Sequence, residues 1–159
     1  MNGAAIEIAD LRFAYGEQTV LEGVTLRVAP GEIYGVVGAD GAGKTTLLQL
    51  AVGQLPPRDG RITVLGRDAT DPALRDEIAY MPQGFGLYPD LSVQENLNFF
   101  ADLHDLPHAV ARSRIADLLK RTGLTGFEKR RARNLSGGMM QKLALACALV
   151  SQPRAMFLD

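Results

Sequence analysis

The sequence predicts an α/β fold with a central, mainly parallel sheet, an N-terminal antiparallel β subdomain and a helical insertion. Three observations indicate this fold: apolar runs of strand length, helical periodicity from Lys44 onward, and a glycine-rich loop that joins one such run to the first helix. The 159 residues are 47% hydrophobic and 22% charged, which is typical of one globular domain. The net charge of -1 argues against a surface that mainly binds nucleic acid.

Short apolar or alternating segments predict the strands of the first half of the chain. They are Ile6–Leu11, Val20–Val28, Ile62–Leu65 and Ile78–Met81. A further run, Ile33–Val37, leads directly into the glycine-rich loop, and its continuous apolar character predicts a buried strand of the parallel sheet. Pro57–Gly60 predicts a turn, because proline presets its own backbone angle and glycine adopts angles that other residues avoid.

Helical patterns follow the loop and then dominate the middle of the chain. The first helix should bury Leu47, Leu48, Ala51 and Val52 and end at Gly53. Ser92 and Glu95 have the spacing of a capping box, which predicts the start of a second helix. A third helix is expected over Ala109–Arg121. Its inward face should consist of Val110, Ile115, Leu118 and Leu119.

The C-terminal part returns to the α/β pattern. Ser136 is expected to cap a long helix, and Ala155–Leu158 predicts a short strand that leads into Asp159. We therefore expect residues 91–130 to form a helical subdomain inserted into an α/β core of residues 1–90 and 131–159. A parallel strand normally continues into a covering helix, so the chain is expected to be a segment truncated after this strand.

The glycine-rich loop carries the clearest chemical signal. Residues 38–45 fit the pattern G-x-x-x-x-G-K-[ST] in full, between a predicted strand and a predicted helix. Such a loop turns backbone N–H groups toward phosphate oxygens, while Lys44 reaches the β- and γ-phosphates and the Thr45 hydroxyl ligates Mg²⁺. Thr46 is expected to donate to the α-phosphate. The predicted phosphate-binding residues are Gly38, Ala39, Asp40, Gly41, Ala42, Gly43, Lys44, Thr45 and Thr46. A P-loop NTPase that binds ATP and Mg²⁺ is therefore predicted.

A second phosphate-binding device is predicted at Leu135-Ser136-Gly137-Gly138. Two glycines after a capping serine expose N–H donors at the positive end of a helix. One domain needs a single cradle for one γ-phosphate, so this second one is expected to serve a nucleotide held by a partner domain.

Together these motifs resemble the ATP-binding cassette (ABC) family over nearly the whole chain. The loop of residues 38–45 matches its Walker A motif, residues 135–142 its signature motif, and residues 156–159 its Walker B strand. The resemblance implies that Asp159 holds Mg²⁺ through water, that Gln83 is the Q-loop glutamine sensing Mg²⁺ and the attacking water, and that Tyr15 stacks on adenine. Lys44 and Gln83 are the implied catalytic side chains within this segment.

Differences from the usual family pattern indicate one branch of the family. The signature motif usually has glutamine where this chain has Met139. Together with the stretches at residues 80–83, 86–89 and 91–97, this methionine makes the chain look like the ATPases of bacterial multidrug exporters. The resemblance then implies a second cassette, as a separate copy or in tandem, an integral-membrane permease and a periplasmic adaptor, with no nucleic-acid partner. The helical insertion near residues 84–106 would carry motion to the permease. Candidates for an apolar patch in that contact are Phe85, Leu87, Tyr88, Phe99 and Phe100, although packing in the core is the expected role for most of them.

The implied activity is ATP hydrolysis by the full-length protein. In the family a catalytic carboxylate follows the Walker B aspartate, and residues 1–159 contain no counterpart, so this segment alone is expected to be inactive. One alternative is an ABC ATPase that moves no solute, such as a translation factor. A chromosome-structure ATPase is disfavoured, because only 53 positions separate Gln83 from Ser136 and no heptads occur. The other alternative is a P-loop kinase for a small molecule, which would need no second phosphate cradle.

Two features bear on the compartment. The single cysteine, Cys147, lies in an apolar run and is expected in the core, so no disulfide calls for an oxidising environment. Residues 1–5 lack the pattern of a signal peptide. A cytoplasmic location is predicted, and the resemblance implies attachment to the cytoplasmic face of the inner membrane through the permease.

Overall fold

The computed structural model describes residues 3–159, which form two compact units. The first unit extends to Ile78 and also contains Asp159, and the second comprises Ala79–Leu158. Met1 and Asn2 belong to the segment predicted to lack a signal peptide, and they lie outside the described residues. The functional division at residues 91 and 130 stays a prediction.

An antiparallel sheet dominates the first unit, as the N-terminal β pattern predicted. Its strands are β1 (Ile6–Tyr15), β2 (Gln18–Val28), β3 (Asp59–Val64) and β4 (Arg67–Asp68), in the order β2-β1-β3-β4. Apolar side chains of the three long strands enter the core, among them Ile8, Leu11, Leu21, Ile62 and Val64. A short 3-10 helix over Pro72–Asp76 follows the sheet.

The predicted turn over Pro57–Gly60 is wrong in its second half, because β3 already begins at Asp59. Gly60 lies inside this strand with a φ of 86°, where the pairing register between β1 and β3 shifts. A Cβ on Gly60 would lie 2.5 Å from the carbonyl oxygen of Asp10. The glycine therefore serves a bulge and a close backbone approach rather than a turn.

The first helix, α1 (Lys44–Ala51), begins at the end of the glycine-rich loop of residues 38–45, as predicted. This loop is called the phosphate loop below, after its predicted role. Leu47, Leu50 and Ala51 are buried, and the fully buried Leu50 replaces part of the expected inward face. Gly53 ends the helix with a φ of 71°, and the next N–H group, that of Gln54, donates to the Gln49 carbonyl at 2.9 Å. This pairing closes the last turn in the manner of a glycine-terminated helix.

The predicted strand over Ile33–Val37 is not formed. Within the described residues this segment belongs to neither sheet, and Ile33 and Val37 are 100% and 96% exposed. A strand satisfies its N–H and C=O groups through neighbouring strands. A continuous apolar run marks a segment suited to burial, but it does not supply those neighbours.

Three helices pack together in the second unit. They are α2 (Val93–Leu103), α3 (His108–Thr122) and α4 (Gly137–Leu149). The predicted capping box at Ser92 and Glu95 is confirmed, with both of its hydrogen bonds present. The apolar core between the helices includes Leu97, Ile115, Leu118, Leu143 and Cys147, which confirms the buried position expected for the cysteine.

One expected core position of α3 is wrong. Val110 is 38% exposed, whereas its neighbour Ala111 is buried. Ala111, Ile115 and Leu118 follow a spacing of four and then three residues, which keeps them on one helix face. Val110 lies one position off that stripe.

The predicted strands β5 (Ile78–Met81) and β6 (Ala155–Leu158) pair with each other, although 74 positions of sequence separate Met81 from Ala155. This pair represents the central sheet among the described residues. No helix within residues 3–159 combines the length and apolar character needed to cross a membrane.

Candidate functional site: the phosphate loop and its partners

The phosphate loop is built directly against strand β2. Gly43 is the N-cap of α1 and has a φ of 87°, in the left-handed region that favours glycine. A Cβ at this position would lie 2.9 Å from the Leu21 Cδ2 atom and 3.1 Å from the carbonyl oxygen of Val20. Both the backbone angle and the close approach therefore require glycine at the point where the loop becomes a helix.

The start of α1 faces the loop with free donors. No side chain caps this helix, and its first backbone bond joins the Leu47 N–H group to the Gly43 carbonyl at 2.8 Å. The N–H groups before Leu47 therefore have no partner inside the helix. Such groups, together with the helix dipole, favour an anion at this end.

Lys44 bends back over its own loop. Its Nζ atom donates to the carbonyl oxygens of Gly38 at 2.9 Å and Ala39 at 2.7 Å. The ammonium group is thereby held beside the loop backbone, where it can exchange these carbonyls for phosphate oxygens. Thr46, two positions on, is 7% exposed, and its predicted contact with the α-phosphate stays a prediction.

The structure brings two distant predicted residues together. The Thr45 hydroxyl donates to the Asp159 carboxylate at 2.9 Å, across 114 positions of sequence. Mg²⁺ in nucleotide sites is held by oxygen ligands, usually one or two from the protein together with phosphate oxygens. A hydroxyl beside a carboxylate, next to a phosphate-binding loop, has the donor chemistry that this ion needs. Within residues 3–159, no cluster of three or more His, Cys, Asp or Glu side chains offers a different metal site.

Tyr15 lies at the end of the hairpin that supports the loop. It pairs with Gln18 across the turn between β1 and β2. Gln18 lies two positions before Val20, the residue whose carbonyl oxygen approaches Gly43. The Tyr15 ring is half exposed and meets the Phe13 ring edge to face at 4.9 Å between centroids. The tyrosine therefore presents an aromatic surface held by a buried neighbour, and adenine stacking stays a prediction.

The second predicted cradle lies in the second unit. Ser136 is the N-cap of α4, and its hydroxyl accepts a hydrogen bond from the Met139 N–H group at 3.3 Å, which confirms its predicted capping role. Gly137 and Gly138 are exposed, and no atom lies within 4 Å of the place that a Cβ would take on either glycine. These backbone groups are thus open to a ligand, and binding to a nucleotide stays a prediction.

Gln83 is an exposed residue in the loop after β5. The loop turns immediately, because the Phe85 N–H group donates to the Pro82 carbonyl at 2.9 Å and Phe85 adopts a φ of 63°. Gln83 belongs to the second unit, and its contact with Mg²⁺ stays a prediction.

Sequence reasoning missed Asn96, whose side chain is fully buried in the second unit. It makes four hydrogen bonds with backbone groups of residues 88–92. The available signal was its spacing, since Asn96 falls three positions after Val93 and next to Leu97 on the apolar stripe of α2. A polar residue on such a stripe indicates a buried hydrogen-bonding role.

Comparison with known proteins places these features in one family. The ABC transporter family model matches residues 21–159. The probable multidrug ABC transporter ATP-binding protein YbhF of Escherichia coli is 44% identical over the entire chain, which covers 28% of YbhF. The daunorubicin resistance ATP-binding protein DrrA3 of Streptomyces coeruleorubidus is 38% identical over the entire chain, which covers 51% of DrrA3. The chain thus spans between about a quarter and a half of these relatives.

Solved structures agree with the sequence relatives. An ATP-binding subunit of an ABC transporter superposes with a TM-score of 0.87 at 32% identity, over 98% of this chain and 65% of that one. The cbiO1 protein of Clostridium perfringens, part of the ABC transporter complex cbiONQ, gives a TM-score of 0.85 at 28% identity, over 99% and 65%. The α/β fold class predicted from the sequence is confirmed by these likenesses. Because the family model covers most of the chain, residues 21–159, this chain belongs to the ABC transporter family.

Proposed function

We propose that this chain is the ATP-binding part of an ABC transporter ATPase, and that the transporter exports drugs or other solutes. The observation that carries the proposal is the hydrogen bond from Thr45 to Asp159, formed one residue away from Lys44. It joins the residue after Lys44 to the last residue of the matched family region in one oxygen-rich centre. The names of YbhF and DrrA3, both matched over the entire chain, support an exporter.

ATP would be held mainly by backbone groups. The N–H groups of residues 38–43 and of the first turn of α1 would surround the phosphates, and Lys44 would exchange its bonds to Gly38 and Ala39 for β- and γ-phosphate oxygens. Thr46 would donate to the α-phosphate. Tyr15 would offer its exposed ring face to adenine, while Phe13 holds the ring from the other direction.

Mg²⁺ would be held by the Thr45 hydroxyl and by Asp159 through water. When bound, the ion supplies positive charge that offsets the charge of the β- and γ-phosphates. Thr45 and Asp159 would orient this centre, because their hydrogen bond already fixes one oxygen against the other.

A second cassette would complete the site. Ser136, Gly137 and Gly138 of one cassette would contact the γ-phosphate of the nucleotide held by the other, through N–H groups at the start of α4. The partner would be a second copy of the cassette or a tandem cassette in one polypeptide. ATP would then stabilise the closed pair and hydrolysis would release it.

Hydrolysis itself would need a carboxylate that polarises water beside the γ-phosphate. Residues 1–159 contain no counterpart of the family's carboxylate after the Walker B aspartate, so we propose that this segment alone turns over ATP negligibly. Steady ATP hydrolysis by purified residues 1–159, well above that of the Lys44→Ala variant, would contradict this part of the proposal.

The cassette would act on the membrane through other subunits: an integral-membrane permease and a periplasmic adaptor, at the cytoplasmic face of the inner membrane. Tyr88 and Phe99 support the permease contact, since their rings are 45% and 37% exposed and lie 4.5 Å apart. Neighbouring aromatic side chains that keep such exposure often mark an interface. Co-purification of the full-length protein with a multispanning membrane protein is expected, and co-purification with ribosomes instead would indicate a translation factor.

Whether the transporter exports or imports its substrate is a separate part of the proposal. The spermidine/putrescine import protein PotA of Acidothermus cellulolyticus is 40% identical over 97% of the chain, close to the value for YbhF. Transport assays in inverted membrane vesicles decide between export and import. An exporter loads such vesicles with its substrate when ATP is added outside, whereas an importer does not.

Nucleotide binding is tested most simply by calorimetry on residues 1–159. The native chain should bind MgATP, and Lys44→Ala should weaken binding roughly 10- to 100-fold, as for loss of a charged hydrogen bond. The exposed helical lysine Lys120 provides a matched control, since Lys120→Ala removes the same charge outside the loop. Equal binding by the native chain and the Lys44→Ala variant would contradict the proposed site.

A further inference from the structure

Asn96 is a fully buried polar residue whose partners are all backbone groups of one short segment. Its Oδ1 atom accepts from the Tyr88 N–H group at 2.9 Å. Its Nδ2 atom donates to the carbonyl oxygens of Tyr88 at 3.1 Å, Leu91 at 3.2 Å and Ser92 at 2.9 Å. The amide both donates and accepts hydrogen bonds. A carboxylate would lack the donor, and an apolar side chain would lack both groups.

These bonds fix a turn over Tyr88–Leu91 to helix α2. The Leu91 N–H group donates to the Tyr88 carbonyl at 3.2 Å, which closes the turn. The Tyr88 ring lies against Phe99, one helical turn after Asn96, at 4.5 Å between centroids. The backbone and the ring of Tyr88 are therefore both held by α2. The loop that begins at Gln83 thus ends in a turn that is fixed to this helix.

The same turn is also bonded to the segment before Ser136. The Ala132 N–H group donates to the Leu91 carbonyl at 2.8 Å, and the Arg133 N–H group donates to the Pro89 carbonyl at 3.0 Å. Arg133 and Asp90 add a side-chain ion pair at 2.7 Å, but both side chains are mostly exposed, so this pair contributes little. The backbone bonds are the main link.

Only a short stretch leads from this link to the second predicted cradle. The Leu135 N–H group donates to the Ala132 carbonyl at 3.0 Å, and the Leu135 side chain is buried in the helical core. Ser136 follows directly and caps α4. Displacing the Tyr88–Leu91 turn would therefore disturb the two carbonyls that hold residues 132 and 133, and with them the entry to Ser136.

We propose that Asn96 is a positioning residue that joins the Gln83 loop to the Ser136 segment through the turn over Tyr88–Leu91. Its amide holds the turn, the turn carbonyls hold Ala132 and Arg133, and the two segments move together with α2. The nucleotide-binding role of both segments rests on the proposed function, whereas the link between them does not. In the complete transporter this link would let a change at one segment reach the other.

Amide hydrogen exchange on residues 1–159 tests the link without ATP. Asn96→Ala removes the amide, and Asn96→Asp keeps its size and the acceptor but removes the donor. Exchange at Tyr88, Ala132 and Arg133 is expected to accelerate roughly tenfold or more in Asn96→Ala, as for loss of a hydrogen bond to a buried group. In Asn96→Asp the acceleration is expected at Ala132 and Arg133. Amides in the interior of α4 should keep their native rates in both variants.

Asn98 supplies the matched control, because it lies on the exposed side of the same helix and Asn98→Ala makes the same chemical change there. That variant should leave Ala132 and Arg133 at native rates. Unchanged exchange at Ala132 and Arg133 in both Asn96 variants, or a uniform rise that includes α4 in both, would overturn the proposal. MgATP calorimetry on the native chain is the separate arm: absent binding there would overturn the proposed function and leave the exchange result standing.

Discussion

Gly43 illustrates how individual residues set the geometry of the phosphate loop. Its positive φ is unfavourable for residues with a side chain, and its nearest neighbours, Leu21 and the Val20 carbonyl, leave no room for a Cβ. The pattern in the sequence identified this glycine as part of the loop. It could not reveal the second reason for the glycine, because the contact with β2 depends on how the hairpin and α1 pack.

Gly43→Ala should therefore destabilise the chain by more than backbone strain alone. Gly16 provides the comparison, since it also has a positive φ, of 59°, but no atom lies within 4 Å of the place that its Cβ would take. Gly16→Ala should cost about 1 kcal/mol, and Gly43→Ala about 2–4 kcal/mol because strain and overpacking add. Urea unfolding measures both. Equal losses would show that the approach to β2 relaxes freely.

For Thr45 and Asp159, the sequence predicted the role of each residue but not the contact between them. Each residue belongs to a recognisable motif: the loop pattern predicted that Thr45 ligates Mg²⁺, and the resemblance to ABC proteins implied that Asp159 holds the same ion. Their pairing across 114 positions is a tertiary fact that periodicity and spacing cannot supply. The buried Asn96 is a similar case, since its partners are backbone groups that any sequence offers.

At the scale of elements, helix α2 is the most completely predicted. Ser92 and Glu95 are local partners three residues apart, so the sequence contains the whole capping motif. The composition of the Ile33–Val37 segment predicts a strand just as clearly, yet none forms, because its partners would have to come from elsewhere. Local motifs were therefore predictable, and the pairing of strands was not.

The capping box should make the stability of α2 depend on pH. Hydrogen bonds from the Ser92 hydroxyl and N–H groups lower the pKa of Glu95 from its usual 4.5, with a smaller contribution from Arg131. A lowered folded-state pKa stabilises the fold above pH 4.5, and this contribution is lost as the pH falls through the lower value. The native chain should therefore be more stable than the Glu95→Gln variant at neutral pH, and this difference should shrink in acid.

Urea unfolding of both chains between pH 3 and 7 measures the difference. Asp102→Asn serves as the control, because Asp102 lies in the last turn of the same helix, where the dipole disfavours a negative charge. Its removal should leave stability unchanged or slightly higher at neutral pH. A Glu95→Gln difference that stays constant down to pH 3 would contradict the role of the ionised capping box.

At the scale of the whole molecule, the exposed apolar segment 33–37 stands out in a chain that otherwise buries its apolar strands. Ile33 and Val37 are almost fully exposed, and Tyr34 and Val36 are 48% and 40% exposed. Contiguous apolar exposure with unpaired backbone groups favours association with other chains. We therefore expect residues 1–159 to self-associate as the protein concentration rises.

Ile33→Glu and Val37→Glu together should reduce this self-association, because two charges interrupt the apolar run at positions that bury nothing in the monomer. Leu103→Glu is the control, since Leu103 is a 63% exposed residue at the end of α2. Sedimentation velocity over a concentration series measures the effect. Self-association that persists in the Ile33 and Val37 variant but disappears with Leu103→Glu would place the adhesive surface in the second unit instead.

Thr45 and Asp159 are proposed to form one Mg²⁺-dependent site for ATP, and a double-mutant cycle tests this pairing most directly. ATP affinity is measured by calorimetry with and without Mg²⁺ for the native chain, Thr45→Val, Asp159→Asn and the double variant. Each single change should remove most of the gain in affinity that Mg²⁺ gives, roughly tenfold, and the double variant should be little worse than either, since both act on one centre. Losses that add fully in the double variant, or a Mg²⁺ effect that survives both changes, would contradict the claim.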